Sequence, residues 1–333
     1  MTTNTVTVEP WTGPDLEPFA PLAAAAPHLP FDYFPGASRP ACAALYMHGL
    51  TEKRNKPETR VVGAWRNGQP VGFLVLEGLA WDSAVFGMRM GRLAALCAAP
   101  GESEYEIKRS LIHFALEHAS SLGYDFLDAH VHVMDLAAAN AAVDGGFRLV
   151  ATHLGLVWDL AIPLPAAPRS AVLITDGAPS DYDELTEMAA RSLPPQSRFA
   201  VDGQLPVEKS AEVFRQWAGN SLNGYADRVQ IARLYGRIAG YCTWRIHQDA
   251  TPFLGMRIAN LDLTAVAPEA RRKGVLSTMV HDGLRWLQDR GIDYGEVVTH
   301  VLSTGMQKGC SALGGRTLTA RHSFHWHRGG SRS

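Results

Sequence analysis

Arg271-Arg272-Lys273-Gly274 places three cations and a glycine between an apolar run that stops at Pro268 and a second run whose apolar residues recur at helical spacing. A helix start offers unpaired backbone N–H groups and the positive end of a dipole. Glycine lets a ligand approach the backbone, and the cations add charge. Together these are the ingredients of a diphosphate site. The histidines of the tail "HSFHWH" are less suited to a site. On a strand His325 and His327 share one face and His322 takes the other, so no metal is expected there. Cys42, Cys97, Cys242 and Cys310 are widely spaced without a CxxC pair, which points to reduced thiols in a cytoplasmic protein.

The basic turn needs a strand before it and a helix behind it. Residues 257–268 alternate as a strand that Pro268 stops, and Val275 to Asp289 form a helix that Gly291 ends, with Leu276, Met279, Val280, Leu284 and Leu287 on one side. Downstream, a strand over 295–303, a short helix from Thr304 and a last strand over 316–327 follow. Upstream, two helices over 181–193 and 206–222 precede a pair of strands around Tyr235-Gly236. This order predicts an α/β fold of the α+β type, a mixed and mostly antiparallel sheet flanked by helices.

The same pattern occurs twice. "FGMRMGRL" from Phe86 matches "LGMRIANL" from Leu254, and Gly72, Gly123, His132, Gly146 and Trp158 match Gly240, Gly291, His300, Gly314 and Trp326, every pair 168 residues apart. The proline-rich stretch 161–172 then separates a first domain, 1–160, from a second, 173–333. In the first copy the basic turn becomes Ser103-Glu104-Tyr105-Glu106, with Glu102 beside it. A carboxylate about 4 Å from a phosphate charge costs roughly 4 kcal/mol at an effective dielectric near 20. The first copy is therefore a degenerate domain that has lost the anion site.

Composition agrees with two ordinary domains. The 333 residues are 46% hydrophobic and 19% charged with a net charge of −2, which gives no field for collecting nucleic acid. No apolar run is long enough to span a membrane.

"LTAVAPEARRKGVLSTMVHDGL" resembles the acetyl-CoA motif of the GNAT superfamily of N-acyltransferases, Val-x-Pro-Glu-x-Arg-x-x-Gly-x-Gly/Ala. Val266, Pro268, Glu269, Arg271 and Gly274 match it, and Leu276 stands where the last Gly/Ala belongs. More narrowly, "LAWDSAVFGMRMGRL" and "SRFAVDGQLPVEKSAEVFRQW" are similar to the TDP-fucosamine acetyltransferase family. The resemblance implies two tandem GNAT-like domains and acetyl-CoA, or another acyl-CoA, as co-substrate. The backbone of Thr264, Ala265 and Val266 would hold the pantetheine. Arg271, Arg272, Lys273 and Gly274, with Val275 and Ser277 in the first helical turn, would hold the diphosphate.

In that reaction a primary amine attacks the thioester directly, so the protein positions two ligands, removes a proton and stabilises an oxyanion. His300, Asp262 and Glu296, on strands beside the turn, are the candidate bases. His300 has a packing reading as well, because His132 shares its register. Cys310 stands where the resemblance places a tyrosine acid, and a buried structural cysteine is its alternative. Arg198 and Phe199 are candidates for contact with the acceptor. The expected activity is acetyl transfer to a small-molecule amine, possibly on a nucleotide-linked amino sugar. The alternatives are an amino acid or antibiotic amine as acceptor, or a sensor that binds CoA or a metabolite without turnover. Expected partners are the amine and, as the protein partner admitted, a second copy in a homodimer, with neither nucleic acid nor membrane.

Overall fold

The computed structural model describes residues 5–192 and 197–330. In chain order the first half contains β1 (Thr7–Pro10), α1 (Ala20–Ala25), α2 (Arg39–Arg54), β2 (Arg60–Arg66), β3 (Gln69–Gly78), α3 (Ala80–Phe86), β4 (Met90–Ala98), α4 (Glu104–Ser121), β5 (Phe126–His132), α5 (Leu136–Asp144) and β6 (Arg148–Asp159). The second half contains β7 (Leu173–Asp176), α6 (Tyr182–Ser192), α7 (Arg198–Val201), α8 (Val207–Asn220), β8 (Arg228–Leu234), β9 (Arg237–Ile246), α9 (Thr251–Leu254), β10 (Ile258–Val266), α10 (Val275–Gln288), β11 (Tyr294–His300), α11 (Thr304–Ala312) and β12 (Arg316–His327). The expected helix over 181–193 is thus observed to Ser192, and Leu193 lies outside the described residues.

The chain forms two compact units. One takes the described residues up to Ala151 together with those from Arg321, and the other is Thr152–Ala320. In the first the strands run β1-β2-β3-β4-β5-β12, and in the second β7-β8-β9-β10-β11-β6. β4–β5 and β10–β11 are parallel and the other pairs within each unit are antiparallel. Each sheet is completed by a strand from the other half of the sequence. β6 lies against β11, with Asp159 opposite Tyr294 and His153 opposite His300, and β12 lies against β5, with His327 opposite Phe126. A division at 161–172 follows the sequence repeat, whereas the compact units exchange their last strands. Side-chain periodicity sets which face a strand buries but not which neighbour it pairs with.

The repeat is visible in the backbone. Asn67-Gly68 and Tyr235-Gly236 all have positive φ, between 51° and 78°, the geometry that tight hairpins require. The ladders β3–β4 and β9–β10 each slip by one residue, at Ala94 and at Asp262, positions 168 apart. Gly72 and Gly240 both let the central helix press on the sheet: a Cβ on Gly72 would sit 2.5 Å from Ile107, and one on Gly240 2.7 Å from the Ala265 carbonyl and 3.0 Å from Met279. On α10, Val275, Met279, Val280, Leu284 and Leu287 face a core with Trp158, Tyr241, Cys242 and Trp244. Each large apolar side chain buried there contributes roughly 1.5–3 kcal/mol. In the first unit Leu74, Leu76, Ile107, Leu111 and Tyr124 play the same part around α4. Among the described residues no helix is long and apolar enough to cross a membrane.

Candidate active site

In the second unit the parallel pairing of β10 with β11 runs from Ile258↔Tyr294 to Leu261↔Val297 and stops. Beyond it β10 continues against β9 through Val266↔Gly240, so among the described residues its other edge has no strand partner there. The N–H of Leu263 donates to the Thr243 hydroxyl at 3.0 Å and that of Ala267 to the Ala239 carbonyl at 2.9 Å, both towards β9. Alternation along a strand therefore turns the N–H groups of Thr264 and Val266 to the open edge. The Thr264 hydroxyl itself is 3.1 Å from the Cys242 thiol.

The basic turn links this end of β10 to α10. Pro268–Ala270 form a single helical turn, Arg271 is extended, and Arg272 and Gly274 adopt φ of 63° and 78° immediately before α10. The left-handed conformation at Gly274 costs a glycine little. Arg271, Arg272, Lys273 and Gly274 are exposed, and among the described residues no carboxylate pairs with the three cations. Val275 is buried and anchors the helix start, while Ser277 is half-buried. Leu276 is turned onto α11, where a Cβ on Gly309 would lie 3.0 Å from its side chain, so its bulk is committed there. Free cations, left-handed glycine and helix start fit a diphosphate.

Asp262 sits on the bulge of β10, where the ladder with β9 jumps from Leu261 to Leu263. Bulges commonly re-aim a side chain beside a site. The Asp262 side chain is 5% exposed; it accepts from Arg245 Nε at 3.0 Å and from the Asn260 side-chain amide. Burial works against the Arg245 charge, but the Asp262 carboxylate outweighs it and holds the guanidinium's pKa up. Asn260 lies opposite Arg245 on one side and Glu296 on the other, which makes a polar row across three strands. Its Oδ1 is buried without a hydrogen-bond partner. His247, two residues beyond Arg245 and on the same face, has its pKa lowered by burial and then by the Arg245 charge. Arg245, Asn260 and His247 join the candidates only once β9 is laid against β10. Alternation in "TWRIH" offered a hint of the shared face but no reason to choose it.

The other sequence candidates are more dispersed. Burial lowers the pKa of His300, and its Nδ1 accepts the N–H of Leu302 at 3.1 Å. His132 makes the matching bond with Met134 N–H at 3.2 Å, so both copies use this histidine to hold the turn after the strand. Such a bond leaves the neutral ring's proton on Nε2. Glu296 is buried on β11. Cys310 is fully buried in α11, its thiol pushed up to about 12 by burial and by Cys242, and its carbonyl accepts from Trp158 Nε1 at 3.3 Å. Arg198 lies over the Phe199 ring at 4.1 Å in α7, which packs on α8. The structure thus sets Asp262 and Glu296 along one row of facing strands, with Thr264 to Val266 and then the basic turn following on from β10, and buries Cys310 in the core.

A model of the acetyltransferase (GNAT) family matches residues 186–308. Among curated proteins, the spore coat polysaccharide biosynthesis protein SpsD of Bacillus subtilis is 25% identical over 209 residues, 62% of this chain and 67% of that protein. Two solved structures share the fold over 98% of this chain. One is a fungal chain with a glucosamine N-acetyltransferase region in a multi-domain β-N-acetylglucosaminidase, at 16% identity and a TM-score of 0.67; this chain spans 38% of it. The other is a tandem GNAT protein from the clavulanic acid biosynthesis pathway, at 19% identity and a TM-score of 0.58, covered in full.

Proposed function

We propose that this chain, whose residues 186–308 match a model of the GNAT family of acetyltransferases, uses its second unit to carry acetyl from acetyl-CoA to the primary amine of a small molecule. The observation that carries this reading is the set of three cations without carboxylate partners, at a helix start beside an open strand edge. When bound, acetyl-CoA supplies a thioester carbonyl that an amine can attack. Arg271, Arg272, Lys273 and Gly274 bind the diphosphate, and the inward N–H groups of Thr264 and Val266 orient the pantetheine and polarise the carbonyl.

Asp262 is the group we assign to the acceptor. Its carboxylate sits where the parallel pair splays, fixed by Arg245 and Asn260, and can hold the ammonium and take its proton. Glu296 and the unpartnered Asn260 Oδ1 extend the polar row for an acceptor with several donor groups. His300 is a second candidate base, with its Nδ1 already engaged. Cys310 packs rather than donates in this reading, because a buried thiol near 12 is a weak acid. Arg198 and Phe199 remain candidates on the acceptor side. The name of the Bacillus subtilis relative concerns polysaccharide biosynthesis, which supports a nucleotide-linked amino sugar as first acceptor to try. Four free and buried cysteines suit a cytoplasmic location.

The test is calorimetry with acetyl-CoA, followed by a CoA-release assay with nucleotide-linked amino sugars, then amino acids and antibiotic amines. Asp262→Asn is expected to lower kcat about 100-fold to 1,000-fold while acetyl-CoA affinity changes less than about threefold. Absence of acetyl-CoA binding by the wild-type chain would end this reading.

A further inference from the structure

The proline-rich linker 161–172, with Leu160 before it, is more than a spacer. These residues run along α10, from its C-terminal end to its start. The Gln288 side-chain amide donates to the carbonyl of Leu160 at 2.9 Å and to that of Ile162 at 3.4 Å. The buried His281 lies with Nε2 3.0 Å from the Pro165 carbonyl and donates to it. Ser170 and Thr278 share a hydroxyl hydrogen bond of 2.8 Å. Thr278 donates its own proton to the Gly274 carbonyl, so Ser170 is the donor to Thr278. From Gln288 to Thr278 these contacts follow roughly 15 Å of helix. Pro163, Pro165 and Pro168 keep the segment extended and remove donors that would otherwise need partners.

The strap ends at the anion turn. The Ser170 Cβ is 3.4 Å from the place a Cβ on Gly274 would take. Arg169 precedes it, exposed, and among the described residues it has no carboxylate partner. We propose that the strap is part of the cofactor site, delivering Arg169 as a fourth cation that binds the 3′-phosphate of CoA beyond the diphosphate held by residues 271–274. This rests on the assignment of acyl-CoA to the turn. In this proposal the diphosphate engages N–H groups and cations at the helix start, and Arg169 offers the extra phosphate of the adenosine end a cation outside it. Arg169 is the cation whose backbone is tied there, through Ser170 and Thr278.

The experiment titrates the full chain with CoA and with dephospho-CoA, which lacks that phosphate. The wild type is expected to prefer CoA about tenfold. Arg169→Ala should lose about tenfold in CoA affinity and under twofold for dephospho-CoA, with an unchanged melting temperature because the side chain is exposed. Hydrogen exchange should show amides 169–172 protected on CoA binding. Equal weakening for both ligands, or none, overturns the role of the strap while leaving the cofactor assignment in place. A wild-type chain that binds neither ligand overturns both.

Discussion

The central helices α4 and α10 stand at corresponding places in their units, and the residues around their starts carry opposite charge. Before α10 three cations have no carboxylate partner. At the start of α4, Glu104 and Glu106 occupy the first turn, and Lys108, 1% exposed, stands where α10 has Leu276. Lys108 donates to Glu104 at 2.6 Å and to both Asp135 oxygens at 2.8 and 2.9 Å. The helix end that would attract an external anion is met by the unit's own carboxylates, and their charge by a buried ammonium. Yet the splay survives: β4 pairs with β5 only to Leu93↔Ala129, and a cavity of about 120 Å³ remains there, lined by His28, Tyr46, Cys97, Lys108 and His132. The polar row differs likewise. Arg92 binds Asp128 through two hydrogen bonds of 2.6 and 2.7 Å, where the second unit has Asn260 opposite Glu296. The splay and bulge recur in both units because strand pairing sets them, whereas the charges at the helix starts depend on a few residues and differ.

The contrast can be broken from either side. Gly274→Glu imports a carboxylate from the first unit into the second. A left-handed φ unsuited to Glu, and repulsion of roughly 4 kcal/mol, should weaken acetyl-CoA binding about 1,000-fold by calorimetry. Affinity within tenfold of wild type would place the cofactor elsewhere. Lys108→Met strands two carboxylates in the first unit and should cost about 3–5 kcal/mol in urea unfolding, without altering acetyl-CoA affinity in the native protein. The smallest effect is expected at the paired histidines. His300→Asn keeps an acceptor for Leu302 N–H, so kcat should fall less than about threefold; a loss near 100-fold would make His300 the base. Burial lowers the pKa of His132, His247 and His300. Their contribution to stability is complete above the unfolded value near 6.5 and is lost as pH falls through the lowered folded values. The urea midpoint should drop from pH 7 towards pH 5, and less steeply in the doubly substituted His132→Asn/His300→Asn protein.

What was legible in the sequence was local. The hairpin at Tyr235-Gly236, the stop at Pro268, the start of α10 at Val275 and the glycine after its end each depend on a few adjacent residues. The 168-residue interval carried the same elements back to the first copy. The geometry of the basic turn was readable for the same reason, since proline, glycine and helix start are contiguous. The site's other half was not. Asp262 gains its place from a slip between two strands, and Arg245 and Asn260 meet only across that ladder. The strap was read as a linker because its partners Gln288, His281 and Thr278 lie 108 to 128 residues away. The exchange of β6 and β12 follows from pairing that no single-strand pattern encodes.

That exchange makes the polypeptide a pair of mutual hostages. A cut in the strap after Pro165 would yield two fragments, each retaining the strand that finishes the other's sheet and lacking the one that finishes its own. Both would present bare edges at β5 and β11, the kind of surface that recruits another strand. The nick is therefore a site for split-protein complementation, in which each sheet should regain its missing edge strand only when the two fragments are refolded together.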